Sequence, residues 1–513
     1  MELQATIDDL CRSAVRSDGA AVLPLAATLL VFFPVTRAYF LGDDFLHLVE
    51  VANDDLGTVL WRPYMSHLYV VPTALYWFLW RVFGLDPRPF YWTLLLVHLA
   101  NVALFFRVVR HLTGSPRLAS VGALLWGTYP YHEGSLAWFC VHGNVLVGSA
   151  FLIAINGLAS HEEANRKVGG LAAAWWATLL LVACTCFGTG LGIAVAFPLL
   201  ALLWLPSLLT RPARAILLLL PVVAVAAYAG VHYVYPQSPG PRPELALRAL
   251  TQNPLTPALA VAHLLTFGLS SLCAGLFWYP LSYPSWQAYA LAAAVLICVL
   301  FAASGRRRCV FALLLAATAA YAVVSLGRGN LFAMLSSLTP AAVATISRYH
   351  YVSSIALALA VCLAAARSKT SMHLNDTTGR LLTLGSTMVV LAAFARSGWT
   401  IDLHSESRYA VRAVLAEATA AAQTVPKGGV AQVRDRWFRS KYIWTNVVTA
   451  SGIFSLYHPT NELNGRQIVY VQDDSSFQEL TILPGSPLAR LVVRGASPQR
   501  PGLASENVLR GAP

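Results

Sequence analysis

"YVVPTALYWFLWRVFGLD", residues 69–86, is apolar enough to pass for a transmembrane helix, and the topology of the whole chain turns on whether it crosses. The stretch is short. It carries Pro72 and Arg81, and its tyrosine and tryptophan rings are of the kind that settle among lipid headgroups. Basic loops decide the matter, because loops rich in arginine and lysine stay on the cytoplasmic side while acids carry little weight. Arg107, Arg110 and Arg117 form one such loop, Arg211 and Arg214 a second, Arg306 to Arg308 a third, and Arg367, Lys369 and Arg380 a fourth. If every apolar segment crossed, the first of these would face outward. Laying 69–85 along the outer interface puts all of them on one side, provided that 258–279 is also interfacial, re-entrant or a hairpin.

The class itself follows from composition. Of 513 residues, 57% are hydrophobic and 12% charged, with many separate apolar stretches, which excludes an ordinary soluble domain. Those stretches lie at about 20–41, 69–85, 90–112, 118–129, 144–159, 168–187, 190–205, 215–235, 258–279, 288–303, 310–326, 351–366 and 381–395. The formal charge of +12 resides mostly in the short loops between them, so it orients the protein in a bilayer and does not indicate nucleic acid. The cysteines lie largely inside apolar segments, without zinc-type spacing, and imply no disulfide framework. The first apolar stretch is too long for a signal-peptide core and lacks a small-residue cleavage site, so it is expected to remain as an anchor.

The fold expected is an all-α polytopic membrane protein of about eleven transmembrane helices plus interfacial helices, with the N-terminus inside. Outer loops then cover 42–89 and 236–284, the turn "YPYHEGSLAWFCVHGN" (129–144) and the stretch 327–351. The membrane domain is expected to span 1–396. Beyond it, "ESRYAVRAVLAEATAAAQTV" has helical periodicity, while "RQIVYVQDD" and "LARLVVRG" alternate as strands do. This predicts a small extracytoplasmic α/β domain over 397–513, with a disordered tail from about Ser497.

Unusual polar residues collect on the outer face: Asp43 and Asp44 directly after the first span, Arg62, His132 and Glu133, His142, Arg328, and Arg348 with Tyr349 and Tyr351 in "SRYHY". Each has a plain structural explanation. The aspartates suit a helix N-terminus, His132 and Glu133 follow a span that ends at Pro130, and Arg348 suits an interfacial anchor. Together they suit chemistry better. A carboxylate at the water boundary is a general base for an attacking hydroxyl, and an arginine among aromatic rings holds phosphate oxygens by paired hydrogen bonds.

On these residues the chain resembles the GT-C superfamily of membrane glycosyltransferases: a first span, "GDDF" (42–45) at its outer end, a long outer loop holding Arg62-Pro63, and many further spans. "YPYHEGSLAWFCVHGNVL" (129–146) is similar to the "HPxHxEAVAWxxGRxxLL" segment of the transmembrane-and-tetratricopeptide O-mannosyltransferases, and "SRYHYVSS" (347–354) to their "ERYLYLPS". The likeness runs in patches from Tyr39 to Ala366. Two departures stand out: His142-Gly143-Asn144 replaces the second arginine of the pattern, and the C-terminal region holds no tetratricopeptide repeats.

The resemblance implies a catalytic base at Asp43 or Asp44, a second acidic residue at Glu133 beside His132, and a donor-phosphate arginine at Arg348. Arg62, Arg328, His142, Tyr349 and Tyr351 complete the expected binding set. The implied reaction moves a sugar from a polyprenyl-monophosphate donor to a hydroxyl of a protein or glycan acceptor, with inversion. No cofactor is required for it, although Asp43, Asp44, Glu133 and His132 offer the ligand types of a divalent cation. The loop 236–284 resembles, in position, the family's loop over the lipid donor. Other readings of the same material are an O-antigen ligase or polymerase acting on undecaprenyl-diphosphate glycans, and a lipid-linked glycan transporter. The abundance of Ala, Leu and Arg suggests a bacterial inner membrane, with the active face toward the periplasm.

Overall fold

The structure is a computed structural model and describes residues 19–41, 43–64, 67–234, 251, 253–277, 283–302, 306–334, 339–367, 406–440, 448–458, 460–481 and 492–495. Helix α1 (Gly19–Phe32) ends in a 3-10 turn (Phe33–Arg37) at Pro34, where the ring cannot continue the α-helical hydrogen bonding. Then come α2 (Asp43–Asn53), α3 (Leu56–Leu60), α4 (Val70–Phe83), α5 (Pro87–Thr113), α6 (Pro116–Gly127) and the single turn α7 (Glu133–Leu136). Next are α8 (Gly143–Glu163), α9 (Gly170–Cys184), α10 (Gly188–Trp204), α11 (Arg211–Val234), α12 (Leu255–Phe277), α13 (Trp286–Ala302), α14 (Arg307–Met334), α15 (Pro340–Ala344) and α16 (Tyr351–Arg367).

Among the described residues, six helical stretches are long and apolar enough to cross a membrane: Ala20–Arg37, Pro87–Thr113, Phe139–Glu163, Arg211–Val234, Leu255–Ala274 and Arg307–Gly327. Shorter apolar helices stand beside them, and the chain is a multi-pass membrane protein. The sequence expectation of about eleven spans compares with these six and the shorter apolar helices among the described residues. The segment 381–395 lies outside them.

Contacts define the two ends of the bundle. At one end Ser120 Oγ donates to the Ala20 carbonyl at 2.8 Å, His111 pairs with Glu163, and Glu162 accepts from Trp204 Nε1 at 2.8 Å while facing Arg306 at 3.8 Å. The basic loops around Arg107 to Arg117, Arg211 to Arg214 and Arg306 to Arg308 therefore gather at that end. Lys369 and Arg380, from the fourth loop, lie outside the described residues.

The opposite end carries Asp43 and Asp44, and two further apolar helices pack there. Helix α4 starts at Tyr69, whose hydroxyl meets the Cys140 carbonyl, and it leads into α5, whose Phe90 and Tyr91 pack on Phe40 and Tyr39. With 14 residues it is about 21 Å long, short of the roughly 30 Å hydrocarbon layer. Helix α12 is long enough to cross, yet along its length Ser325 reaches Pro257, Tyr131 and His350 meet Phe267, and Tyr129 bonds Ser271. These partners belong to the acidic end, so that α12 packs against it.

A polar knot ties four helices inside the bundle. His98 of α5 bonds Tyr351 of α16 at 2.7 Å and the Gly127 carbonyl of α6 at 3.0 Å, and Asn101 donates to Tyr351 and to the Val145 carbonyl of α8. In an apolar surround such hydrogen bonds between helices fix their rotation and register.

The C-terminal region is a small mixed sheet with two helices. Helix α17 (Glu406–Gln423) precedes β1 (Val430–Ser440) and β2 (Val448–Thr449); α18 (Ala450–Tyr457) then leads to β3 (Glu462–Leu463), β4 (Arg466–Thr481) and β5 (Val492–Gly495). The order is β2-β1-β4-β3, with β5 also on β4. Strands β1 and β4 are parallel, with Val430 opposite Gln467, and β1 is a strand the sequence reading did not mark. Helix α18 packs on α2, and the Tyr457 hydroxyl meets that of Tyr39. The module thus sits on the acidic end, beside the tandem aspartates.

Candidate active site at the acidic end of the bundle

The site begins where the first span stops. After the Phe33–Arg37 turn Ala38 is extended, and α2 opens on Asp43 and Asp44, where a helix N-terminus favours negative charge. Asp44 locks this entry: its N–H donates to the Leu41 carbonyl at 2.9 Å, and its Oδ2 accepts the Leu41 N–H at 2.8 Å. Its Oδ1 accepts the Tyr76 hydroxyl at 2.5 Å. Asp44 is wholly buried, and burial pushes its pKa up to about 7, against the hydrogen bonds from Tyr76 and Leu41, with the neighbouring Asp43 charge adding to the rise.

Asp43, one residue earlier, is partly exposed; its Oδ2 lies 3.9 Å from Cys140 Sγ, and Tyr64 is a further neighbour. Behind the pair, His47 stacks against both Tyr69 and Tyr76 at interplanar angles of 24°. Burial, with the nearby His142 adding, takes the His47 pKa down to about 3, so the ring is neutral.

Arg348 comes from the 3-10 turn Ser347–Tyr349 just before α16. Its guanidinium carbon lies 4.9 Å from the Trp138 ring centre and 5.1 Å from that of Tyr349. Its carbonyl lies 3.4 Å from Ser135 Oγ and from Asn144 Nδ2, both donors, and Thr189 Oγ1 donates to Asn144 Oδ1 at 2.9 Å. Arg348 and both aspartates lie within electrostatic reach of Cys140. Asp43 and Arg348 thus border the same turn, Trp138 to Cys140.

Gly134 makes this closeness possible. A Cβ there would sit 2.0 Å from Ser347 Oγ and 2.7 Å from the Arg348 nitrogen, so only glycine lets α7 approach the arginine turn. Gly134→Ala is expected to destabilise the protein by about 1–3 kcal/mol, the usual cost of overpacking. A melting curve unchanged from wild type would contradict that packing.

The other residues singled out from sequence are distributed unevenly. Glu133 opens α7, partly exposed and next to Gly134. Tyr349 is buried beside Arg348. Arg62 is engaged elsewhere: it pairs with Asp54 at 3.0 Å and Glu50 at 3.5 Å, holding the loop after α3 onto α2. His132 is buried among His98, Trp126, Tyr129 and Tyr351, with Nε2 on the Trp126 carbonyl at 2.8 Å. Burial first, and His98 second, hold its pKa well below the ordinary histidine value. Tyr351 belongs to the polar knot beneath. His142 stacks on Phe139, with Nδ1 2.6 Å from the Phe139 carbonyl. The side chain of Arg328 lies outside the described residues. Sequence reasoning assigned no role to Tyr76, His47, Cys140 or Trp138; Trp138 stood in the quoted motif, but its partners are distant in the chain.

Among the described residues, no three histidines, cysteines or carboxylates converge to hold a metal ion. A cavity of about 420 Å³ lies in the C-terminal sheet, lined by Ser451, Ser455, Asn461, Gln467 and Tyr470 with two aliphatic neighbours. Among the described residues, neither a carboxylate nor a cation lines it.

Titration of Asp44 has a definite sign. Its folded pKa of about 7 exceeds the ordinary 3.8, so between those values the folded chain holds a proton that the unfolded chain has released. The stability it contributes is full below that window and falls as pH rises through it. His47 acts oppositely: with a folded pKa of about 3 against 6.5, it adds stability as pH rises between them. Asparagine suits position 44, since its oxygen can accept from Leu41 and its amide can donate to a reversed Tyr76 hydroxyl. Asp44→Asn is therefore expected to fold and to gain melting temperature relative to wild type on going from pH 5 to pH 8. Parallel pH curves for the two proteins would contradict a buried, titrating Asp44.

No family model matches the sequence, and no curated protein matches it. In three dimensions the chain is similar to ArnT from Cupriavidus metallidurans, solved bound to undecaprenyl phosphate, at a TM-score of 0.43 and 14% identity over 85% of this chain and 84% of that one. It is also similar to the Archaeoglobus fulgidus oligosaccharyltransferase tethered with an acceptor peptide, at 0.41 and 13% identity over 88% of this chain and 63% of that one. A third similar structure, AglB from Archaeoglobus fulgidus with an inhibitory peptide and a dolichol-phosphate, gives 0.36 and 12% identity, covering 75% and 55%. At TM-scores below 0.5 and identities of 12–14%, these likenesses assign this chain no family, donor or acceptor.

Proposed function

We propose that this protein is a membrane glycosyltransferase that moves a sugar from a polyprenyl-monophosphate donor to an acceptor hydroxyl at the acidic end of its bundle. The observation that carries the reading is that Asp43 and Arg348 border one turn, Trp138 to Cys140. A base and a cation placed together at the rim of an apolar bundle suit a substrate with a lipid tail, a phosphate and a sugar.

Asp43 is the base. Asp44 is wholly buried, with Leu41 and Tyr76 bonded to its two oxygens, whereas Asp43 is partly exposed. In the proposed step the acceptor oxygen bonds to the anomeric carbon as its proton passes to Asp43. The bond from that carbon to the phosphate oxygen breaks, and the electron pair leaves with the polyprenyl phosphate. One displacement inverts the anomeric centre. The leaving phosphate needs stabilisation of its charge, not a proton, and Arg348 provides it.

Orientation follows from the opposite end. Arg107, Arg110, Arg117, Arg211, Arg214 and Arg306 to Arg308 gather there, and such loops remain cytoplasmic. The acidic end then faces the extracytoplasmic side, with the membrane part over 1–396 and the C-terminal module over 397–513 on the same side.

The test is a transfer assay with purified protein and a panel of polyprenyl-monophosphate sugars. Transfer to a hydroxyl acceptor with inverted configuration is expected from at least one donor. Failure with every donor, or transfer only from diphosphate donors, would overturn the reading.

A further inference from the structure

Trp138 stands between the two halves of the site and touches both. Its indole N–H donates to the Leu41 carbonyl at 3.0 Å, and Leu41 is the residue that exchanges hydrogen bonds with Asp44 at the start of α2. Its ring face meets the guanidinium of Arg348 at 4.9 Å. Trp138 is 5% exposed and Leu41 4%, so the N–H contact is sheltered from water, while Arg348 is partly exposed.

The two contacts use different parts of the indole. Stacking holds a guanidinium by its flat face and consumes none of its N–H donors, which radiate in the plane and remain available to an oxyanion. The N–H contact acts on the backbone instead. Leu41 lies two residues before Asp43, and its carbonyl receives the Asp44 N–H as well as the indole. Fixing that carbonyl fixes where α2 begins, and hence where Asp43 stands.

We infer that Trp138 is a positioning residue with separable tasks: its ring face holds Arg348 for the donor phosphate, and its N–H holds the Leu41 entry that places Asp43. The inference rests on the proposed function for the identity of the donor and of the base. It adds that one side chain sets both, so that phosphate and base keep a fixed separation across the Trp138 to Cys140 turn.

The tasks come apart in two substitutions. Trp138→Phe keeps an aromatic face and removes the N–H; Trp138→Leu removes both. The experiment measures the Kd of undecaprenyl monophosphate for the full chain in nanodiscs, together with kcat for transfer. Trp138→Phe is expected to bind the lipid phosphate within about twofold of wild type and to lose about tenfold in kcat, the scale of one lost buried hydrogen bond. Trp138→Leu is expected to weaken lipid-phosphate binding by about 3- to 30-fold in addition, the range of a cation–π contact.

Wild-type binding of Trp138→Leu would overturn the ring-face task, and weakened binding with unchanged kcat in Trp138→Phe would overturn the N–H task. Should Trp138→Leu not fold, Trp138→Met takes its place in the binding arm, where wild-type binding would again overturn the ring-face task. The binding arm needs no transfer: a wild type that binds the lipid phosphate with this variant pattern but transfers nothing refutes the proposed function and retains the link from Trp138 to Arg348.

Discussion

Asp43→Asn is expected to lower the rate of sugar transfer by about 10²- to 10⁴-fold, the usual range for loss of a general base, with little change in donor affinity. The substitution preserves shape at the first position of α2 and removes only the ability to take a proton. Because kcat falls while KM for the donor holds, the loss reads as a transition-state interaction and not as one of binding. Asp44 provides the internal control. Asp44→Asn is expected to stay within about tenfold of wild type, since a neutral amide satisfies both Leu41 and Tyr76. If the Asp44 variant were dead and the Asp43 variant active, the roles assigned to the pair would be reversed.

Arg348→Ala is expected to raise the donor KM by about 10- to 150-fold, which corresponds to the roughly 1.5–3 kcal/mol of charge-assisted hydrogen bonds to a phosphate. Arg348→Lys is expected to recover only part of this. Lysine restores the charge but not the flat cation that Trp138 and Tyr349 hold at 4.9 and 5.1 Å, nor its paired donors. Steady-state kinetics in the lipid donor at saturating acceptor separate the cases. An Arg348→Ala protein with wild-type donor KM would remove the arginine from the phosphate site.

Much of this architecture is legible from sequence because a bilayer imposes coarse rules. Segment 69–85 betrays itself by its shortness, Pro72 and Arg81, and α4 indeed stays at the acidic end. Segment 258–279 does not betray itself: α12 has the length and apolarity of a span, and its packing on Tyr129, Tyr131, Ser325 and His350 is not written in its sequence. In the C-terminal module, α17 and β4 follow their periodicity. Strand β1 escapes notice because "VAQVRDRWFRS" mixes charges with apolar residues on a half-covered sheet.

The site is less legible, for a geometric reason. His132 and Tyr351 neighbour Glu133 and Arg348 in sequence, yet a turn of backbone directs them into the bundle, where His98 and Trp126 take them up. Arg62 looks free in sequence and is paired with Asp54 and Glu50 in space. The tie from Trp138 to Leu41 joins residues far apart in the chain, and no local pattern announces such a contact.

An experimental density map of the protein with a polyprenyl monophosphate bound bears on all of this at once. The expected map shows phosphate oxygens about 2.7–2.9 Å from the Arg348 guanidinium, with Asp43 on the same side of the Trp138 to Cys140 turn and space for a sugar between them. A phosphate held away from Arg348, or a wall of packed side chains separating it from Asp43, would contradict the shared site.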